Sequence, residues 1–436
     1  MRSVQRHQVE LRACDLDSLL PPDHAARAVW SFVQGLDLEP LYARIRAVQG
    51  RAGRAAIDPA LLVALWLYAT LEGVGSARQI ERLCVSEEAW RWLCGGVRVN
   101  HHTLADFRTR HVAWLDEQLT RSVAALMRAG LVTMQCVAQD GLRVRAHAKA
   151  ASFRREPSLR ALLGQARQQL ERLKCELHED AAASQRRRQA AQARAAQERQ
   201  QRLAQALAAL GQMQAGADAK SAPAAAARDD EEPPSATPPK PSQPRASTTD
   251  AQARVMKMAD GGFRPAFNAQ LAVDVATQVI VGVQLCNHGS DSGLLQPMHQ
   301  QLQQRYARVA PQWLADGGYA KLADIEALDR QGTQVSVPLP ASRNPATHLH
   351  APKRGDSPAI AQWRARMGTP QAVAIYKQRA SSVECVNAQL RRRGLLRFNV
   401  CGLLKAQAVL LWHALAHNLQ RLLSLKATAT TAAAVG

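Results

Sequence analysis

Three acidic residues stand in contexts that differ from solvated surface charge. Asp140 follows Cys136-Val137-Ala138-Gln139 in a strand-like run. Asp316 closes Trp313-Leu314-Ala315 and precedes Gly317-Gly318-Tyr319, where the chain turns towards a helix. Glu384 lies between Val383 and Cys385 in a helical pattern. An acid at the C-terminal end of a strand commonly faces the crevice of an α/β sheet. Taken singly, each has a plain alternative: a turn residue before Gly141, a helix cap, an exposed helical charge. Together they have the composition that phosphodiester cleavage requires. Two divalent ions roughly 4 Å apart activate the attacking oxygen and stabilise the leaving one. Hard cations such as Mg²⁺ favour carboxylate oxygen and keep several waters, so two or three acids suffice.

Other candidates read as structural. Asp274 falls near a strand end and suits a turn. Asp291, after Asn287-His288-Gly289-Ser290, suits a helix cap, with a role beside the metals as the lesser alternative. His413 and His417 have metal-compatible spacing, but they sit on an apolar helix without a neighbouring acid. The eight Cys form no C-x-x-C pair, which argues against zinc and fits small buried thiols in a reducing cytosol.

The elements that must position the acids follow from patterning. Residues from about Leu16 to Gly130 are helical in pattern. Asp58 with Pro59 opens one helix, Ser76 and Ser86 are placed to cap two short ones, and Thr103 with Asp106 suggests a capping box for a long helix to about Arg128. Short capped helices beside Arg82, Arg91, Arg98, His101, His102, Arg108 and Arg110 fit a helix-turn-helix-like DNA-binding unit; a plain bundle with a basic face fits equally. The Trp residues, including Trp66, Trp90, Trp92 and Trp313, read mostly as core.

From Val132 the period becomes that of strands, through Asp140 to Ala146. Further strand runs are Ala266–Asp274, Val279–Leu285, Trp313–Ala315 and Val335–Leu339. Helical runs are Leu294–Val309, Lys321–Arg330, Ala359–Met367, Ala372–Arg393 and Leu403–Leu425. This predicts an α/β layout with a mixed sheet. Residues 156–250 differ. Leu159–Met213 suggests one or two long exposed helices, possibly a coiled-coil hairpin, and Ala215–Thr249 is a Pro/Ser/Ala-rich stretch that cannot form a core and reads as a disordered loop. The organisation expected is a helical DNA-binding domain (1–130), a catalytic domain (131–425) interrupted by an insertion (156–250), and a flexible tail (426–436).

Charge points to the partner. The 436 residues carry a formal net charge of +20, which predicts a phosphate-rich partner through counterion release. The longest apolar run, Leu61–Leu67, is too short to span a bilayer, and the first residues lack an apolar signal core. Neither a membrane role nor export is expected.

The blocks around Val137-Ala138-Gln139-Asp140, Trp313-Leu314-Ala315-Asp316-Gly317-Gly318-Tyr319 and Tyr376 to Arg391 resemble those of bacterial insertion-sequence DDE transposases with a helical N-terminal domain. That resemblance implies an RNase H-like catalytic domain with Asp140, Asp316 and Glu384 as catalytic metal ligands, and Mg²⁺ or Mn²⁺, two ions, as cofactor. It implies Tyr376, Arg379 and Arg391 as residues holding the DNA end. The implied partners are double-stranded DNA, as terminal inverted repeats and target, with a homo-oligomer assembled on it in the cytoplasm at the nucleoid. The family usually has Lys where this chain has Arg391, and often an aromatic where it has Asn387. On an unbroken helix Lys377, Glu384 and Arg391 share a stripe, while Arg379 lies off it and would need a bend to reach the site. Two rivals remain open: a transposase-derived DNA-binding protein without catalysis, and a nuclease that cuts without joining.

Overall fold

The computed structural model describes residues 15–45, 55–177, 183–225, 243–340 and 348–435. The first section is helical: α1 (Ala25–Gln34), α2 (Glu39–Tyr42), α3 (Pro59–Leu71), α4 (Ala77–Ser86), α5 (Glu88–Cys94), α6 (His101–Arg110) and α7 (Val112–Arg128). Asp58 caps α3 by accepting from the Ala60 N–H, and Pro59 takes the first helical position, where its missing donor costs little. Residues Pro59–Thr70 of α3 are buried all round, so this helix forms the centre of the bundle. Ser76 caps α4 through the Gln79 N–H.

Two expected caps are corrected. Ser86 ends α4, and α5 starts after Glu87 without a side-chain cap. The long helix expected from Leu104 is two helices, broken at His111. Its first cap is Asn100, whose side chain accepts from the Thr103 N–H at 2.9 Å.

A strand-rich section follows. It comprises β1 (Cys136–Arg145), β2 (Phe153–Arg154), α8 (Glu156–Leu177), α9 (Ala183–Ala225), β3 (Ala246–Ser247), β4 (Arg254–Lys257), β5 (Phe263–Asp274) and β6 (Ile280–Cys286). The chain continues through α10 (Leu295–Tyr306), β7 (Gln312–Leu314), α11 (Leu322–Asp329), β8 (Gln334–Ser336), α12 (Pro358–Met367), α13 (Pro370–Arg379), α14 (Cys385–Arg392) and α15 (Leu403–Val435). The main sheet is mixed. β5 lies antiparallel to β1, β4 and β6, and β1, β7 and β8 run parallel. β4 was not anticipated from the sequence.

Helices α8 and α9 pack on each other through Leu159, Leu163, Ala166, Leu203, Ala206 and Leu210. The short β2–β3 pair joins the chain entering this hairpin to the chain leaving it. Two expectations are corrected here. The ends of the stretch expected as a disordered loop are ordered, since α9 runs to Ala225 and Ala246–Ser247 pair with β2 and are buried, while residues 226–242 lie outside the described residues. Helix α15 continues through 426–435, expected as a flexible tail.

Two apolar layers cover the sheet. On one face Leu142, Val144 and Leu271 share a cluster with α3, α14 and α15, so the N-terminal helices and this face bury surface together. The other face packs under α10, α11 and α12. Among the described residues no helix is long and apolar enough to cross a membrane.

Candidate active site

The paired registers of β1 and β7 match Cys136 with Gln312, Val137 with Trp313 and Ala138 with Leu314. Continued two residues further, that parallel register sets Asp140 opposite Asp316. Asp140 remains within β1, whereas Asp316 has just left β7 and caps a short 3₁₀ turn, Gly317–Tyr319, by accepting from the Gly318 N–H at 2.8 Å. Thus Asp316 caps the turn while its charge still acts on Asp140.

Glu384 reaches this end of the sheet through an irregular helix. The run expected as one helix from Ala372 to Arg393 is interrupted by a π turn, Ala380–Glu384, between α13 and α14. In a regular α-helix two residues five apart point roughly 140° away from each other, given 3.6 residues per turn. The π turn bonds residue i to residue i+5 and brings such pairs into line. Arg379 and Glu384 are such a pair, and the Arg379 guanidinium bonds the Glu384 carboxylate. The same guanidinium lies 3.6 Å from Asp140 Oδ1 and 5.8 Å from the centre of the Tyr376 ring. The π turn supplies the bend that Arg379 needed.

Asp140 is held on three sides. Its Oδ1 accepts from the Gly141 N–H at 2.9 Å, its Oδ2 accepts from Asn387 Nδ2 at 2.8 Å, and Arg379 flanks it. Burial nevertheless pushes its pKa up to about 6; Arg379 opposes the rise, while the charges of Asp316 and Asp291 add to it. Burial works against the Arg379 charge as well, but Asp140, Tyr376 and Glu384 outweigh it and raise its pKa. Asn387, noted in the sequence only as a departure from an aromatic, is a direct partner of the first acid.

Asp291 corrects another expectation. Its side chain does not cap α10, which begins after Leu294 without a side-chain cap. It accepts from Asn268 Nδ2 and Gln270 Nε2, each at 2.8 Å, and from Arg143 through both carboxylate oxygens. Successive side chains on a strand alternate faces, so Asp291, lying over Gly141, is on the sheet face opposite the Asp140 side chain. A Cβ on Gly141 would stand 2.6 Å from Asp291 Oδ1, so only Gly allows this approach. Tyr319 donates to Gln270 Oε1 at 2.5 Å, tying the turn after Asp316 to the same polar cluster. The local sequence ranks the cap first because the partners of Asp291 come from β1 and β5.

The remaining residues are placed as follows. Tyr376 and Arg379 are half-buried beside the acids, whereas Arg391 is exposed on α14 and bonds none of them. Asp274 accepts from the Met134 N–H and from the Thr277 N–H and hydroxyl, which is a turn role. His413 and His417 are buried, and burial lowers their pKa values to about 3 and about 4, so both are neutral. Trp66, Trp90 and Trp313 are core residues; Trp92 is partly exposed and donates to Asp17.

The cluster is rich in carboxylate oxygen and carries no Cys or His, which is the donor set of a hard cation. As arranged, no group of three His, Cys, Asp or Glu side chains among the described residues is gathered closely enough to hold an ion. Arg379 lies between Asp140 and Glu384 and supplies the positive charge there. Carboxylates whose shared charge already raises the Asp140 pKa fit a cation electrostatically.

Comparison with known families decides the assignment. Residues 14–110 match the "Transposase domain (DUF772)" family, and residues 234–419 match the "Transposase DDE domain" family. The chain belongs to the insertion-sequence DDE transposases. The two matched spans include Asp316, Glu384, Tyr376, Arg379 and Arg391, while Asp140 falls between them. No curated protein and no solved structure matches this transposase. Transposases of this family typically use divalent metal and act on DNA.

Proposed function

We propose that this transposase cuts DNA at the ends of its element and joins the freed 3′-hydroxyl ends to target DNA, with Asp140, Asp316 and Glu384 as the catalytic carboxylates. One observation carries the reading: the β1–β7 register and the Arg379 bridge bring acids from three distant stretches of sequence to one end of the sheet. The strand order β6-β5-β1-β7-β8, with β5 antiparallel to β1 and the last three strands parallel, supports an RNase H-like fold for the domain that holds them.

Asp140, Asp316 and Glu384 would hold Mg²⁺ or Mn²⁺, two ions, which supply activation of the attacking oxygen and stabilisation of the leaving one. Asn387 and the Gly141 N–H orient Asp140, and Asp316 is fixed by its bond to the Gly318 N–H. Above about pH 6 Asp140 is ionised and able to ligate. Arg379 offers a planar fork suited to a phosphate, Tyr376 supports it through its ring, and the exposed Arg391 extends the basic surface along α14. The helical section 1–130 would read the terminal repeats. Joining two ends to one target calls for more than one copy of the chain on DNA, in the cytoplasm at the nucleoid.

Asp140→Asn is the test. End cleavage in Mg²⁺ should vanish while binding to a duplex carrying the terminal repeat persists; cleavage at the native rate would remove Asp140 from the mechanism. Joined products on a target plasmid separate a transposase from a nuclease that only cuts.

A further inference from the structure

A second basic site lies away from the acids, where the N-terminal helices meet the chain after α14. Arg108 of α6 is 8% exposed, its guanidinium stacks 4.6 Å over the Trp66 ring, and its Nε has no partner. Its Nη1 donates to the Gly75 carbonyl at 2.9 Å and to Asn399 Oδ1 at 2.6 Å, both neutral acceptors. Among the described residues the side chain of Arg393, half-buried, bonds the ring of His417 alone, at 3.4 Å. The fully buried ring of His413 has an unpartnered Nδ1 and feels both Arg108 and Arg393. Arg397 completes the lining of a cavity of about 40 Å³.

Among the described residues, none of these three arginines pairs with a carboxylate. Arg397 is exposed, but Arg108 is buried and Arg393 half-buried; burying a cation without a counter-charge is costly, and such groups are ordinarily paired. Burial lowers the Arg108 pKa to about 10 and also lowers that of Arg393, which Arg392 pushes down further. The walls are built for close approach. Gly73 and Gly394 both have positive φ, and a Cβ on Gly394 would stand 3.3 Å from the Gly73 carbonyl oxygen. A cavity of this size exceeds what one water needs, about 10–15 Å³, and suits one tetrahedral oxyanion rather than a nucleotide.

We propose that Arg108, Arg393 and Arg397 form a phosphate site, and that its phosphate comes from a DNA backbone rather than from free inorganic phosphate. The source rests on the chain acting on DNA; the oxyanion chemistry does not. Asn387, near the start of α14, holds Asp140, and Arg393 follows the last residue of that helix. From Asn387 to Arg393, six residues at 1.5 Å each put the site roughly 9 Å from the acids, the rise of two or three nucleotides of one strand at about 3.4 Å apiece. A strand lying with one phosphodiester at the acids thus places a later phosphate at this cavity, and the two matched transposase regions would grip one strand jointly.

The test uses the full chain with Arg397→Gln, Arg397→Lys and Arg393→Gln, which leave Arg108 and its bonds in place. Duplex affinity should fall about three- to tenfold in each Gln variant, the salt slope should drop by about 0.9, and Arg397→Lys should recover most of the loss. In parallel, millimolar inorganic phosphate at fixed ionic strength should raise the melting temperature of the native chain more than that of Arg397→Gln. Native affinity and slope in both Gln variants would overturn the proposal. A phosphate-dependent shift lost in Arg397→Gln without any change in duplex binding would overturn the DNA source. Because binding is read without cleavage, an inactive Asp140→Asn background gives the same result and separates this site from the catalytic assignment.

Discussion

Replacing Asp140 by Asn should make the protein more stable and catalytically dead. The carboxyl titrates near 6 in the folded chain against 3.8 for an ordinary Asp, chiefly because it is buried and secondarily because Asp316 and Asp291 repel its charge. Each pH unit between those values corresponds to about 1.4 kcal/mol, so at pH 8 ionising Asp140 costs the native state at most about 3 kcal/mol. The sign follows from proton binding. Between pH 4 and pH 6 the folded state binds this proton more tightly than the unfolded state, so stability falls as pH rises through that window and is level above it. Asn mimics the neutral acid and keeps an oxygen to accept from Asn387, so the variant should escape the loss. Urea unfolding of both proteins from pH 4 to pH 8 would show curves that coincide near pH 4 and separate by up to about 3 kcal/mol at pH 8. A variant less stable than the native chain at pH 8, or a difference that does not change with pH, would refute the electrostatic account of this site.

Other outcomes follow from the same geometry. Arg379→Ala should move the acidic limb of the cleavage pH profile upward, since Arg379 opposes the rise in the Asp140 pKa; an unmoved limb in rate–pH measurements would contradict this. Asn387→Ala should shift that limb the same way by removing the Asn387–Asp140 bond, while its duplex affinity stays native in a filter-binding assay. Gly141→Ala should destabilise the chain by about 1–3 kcal/mol, because the new methyl would meet Asp291, Gln270 and Arg143 at 2.6–2.8 Å; denaturant midpoints give the value. Gly282→Ala is a control in the core, where a Cβ would stand 2.6 Å from Leu302 and Met298. It should lower the denaturation midpoint comparably and leave the pH profile of cleavage unmoved.

The sequence reveals the acids more clearly than their surroundings. Asp140 and Asp316 are legible because apolar strand runs lead up to them and Gly follows, and the mixed layout is legible because the period changes at Val132. Glu384 sits in a helical pattern that is equally plain. The π turn at Ala380–Glu384 is not legible, since nothing in Ala-Ser-Ser-Val-Glu distinguishes an i+5 turn from an i+4 one; the turn nonetheless decides where Arg379 points. Asn387 and Asp291 are less legible for a related reason. Their partners are Asp140 in one case and Arg143, Asn268 and Gln270 in the other, all distant in sequence, so local pattern offers a departure for the first and, for the second, a cap ahead of a role beside the metals. The buried Arg108 looked like one more charge on a basic helix, because Asn399, which meets it across the junction, lies 291 residues away.

Binding of Mn²⁺, followed by its electron paramagnetic resonance signal, tests the role of the carboxylates most directly. Native protein should take up the ion, Arg379→Ala should take it up more tightly, and Asp140→Asn, Asp316→Asn and Glu384→Gln should each weaken uptake markedly. Undiminished uptake by all three amide variants, each verified as folded, would show that these acids do not form the metal site.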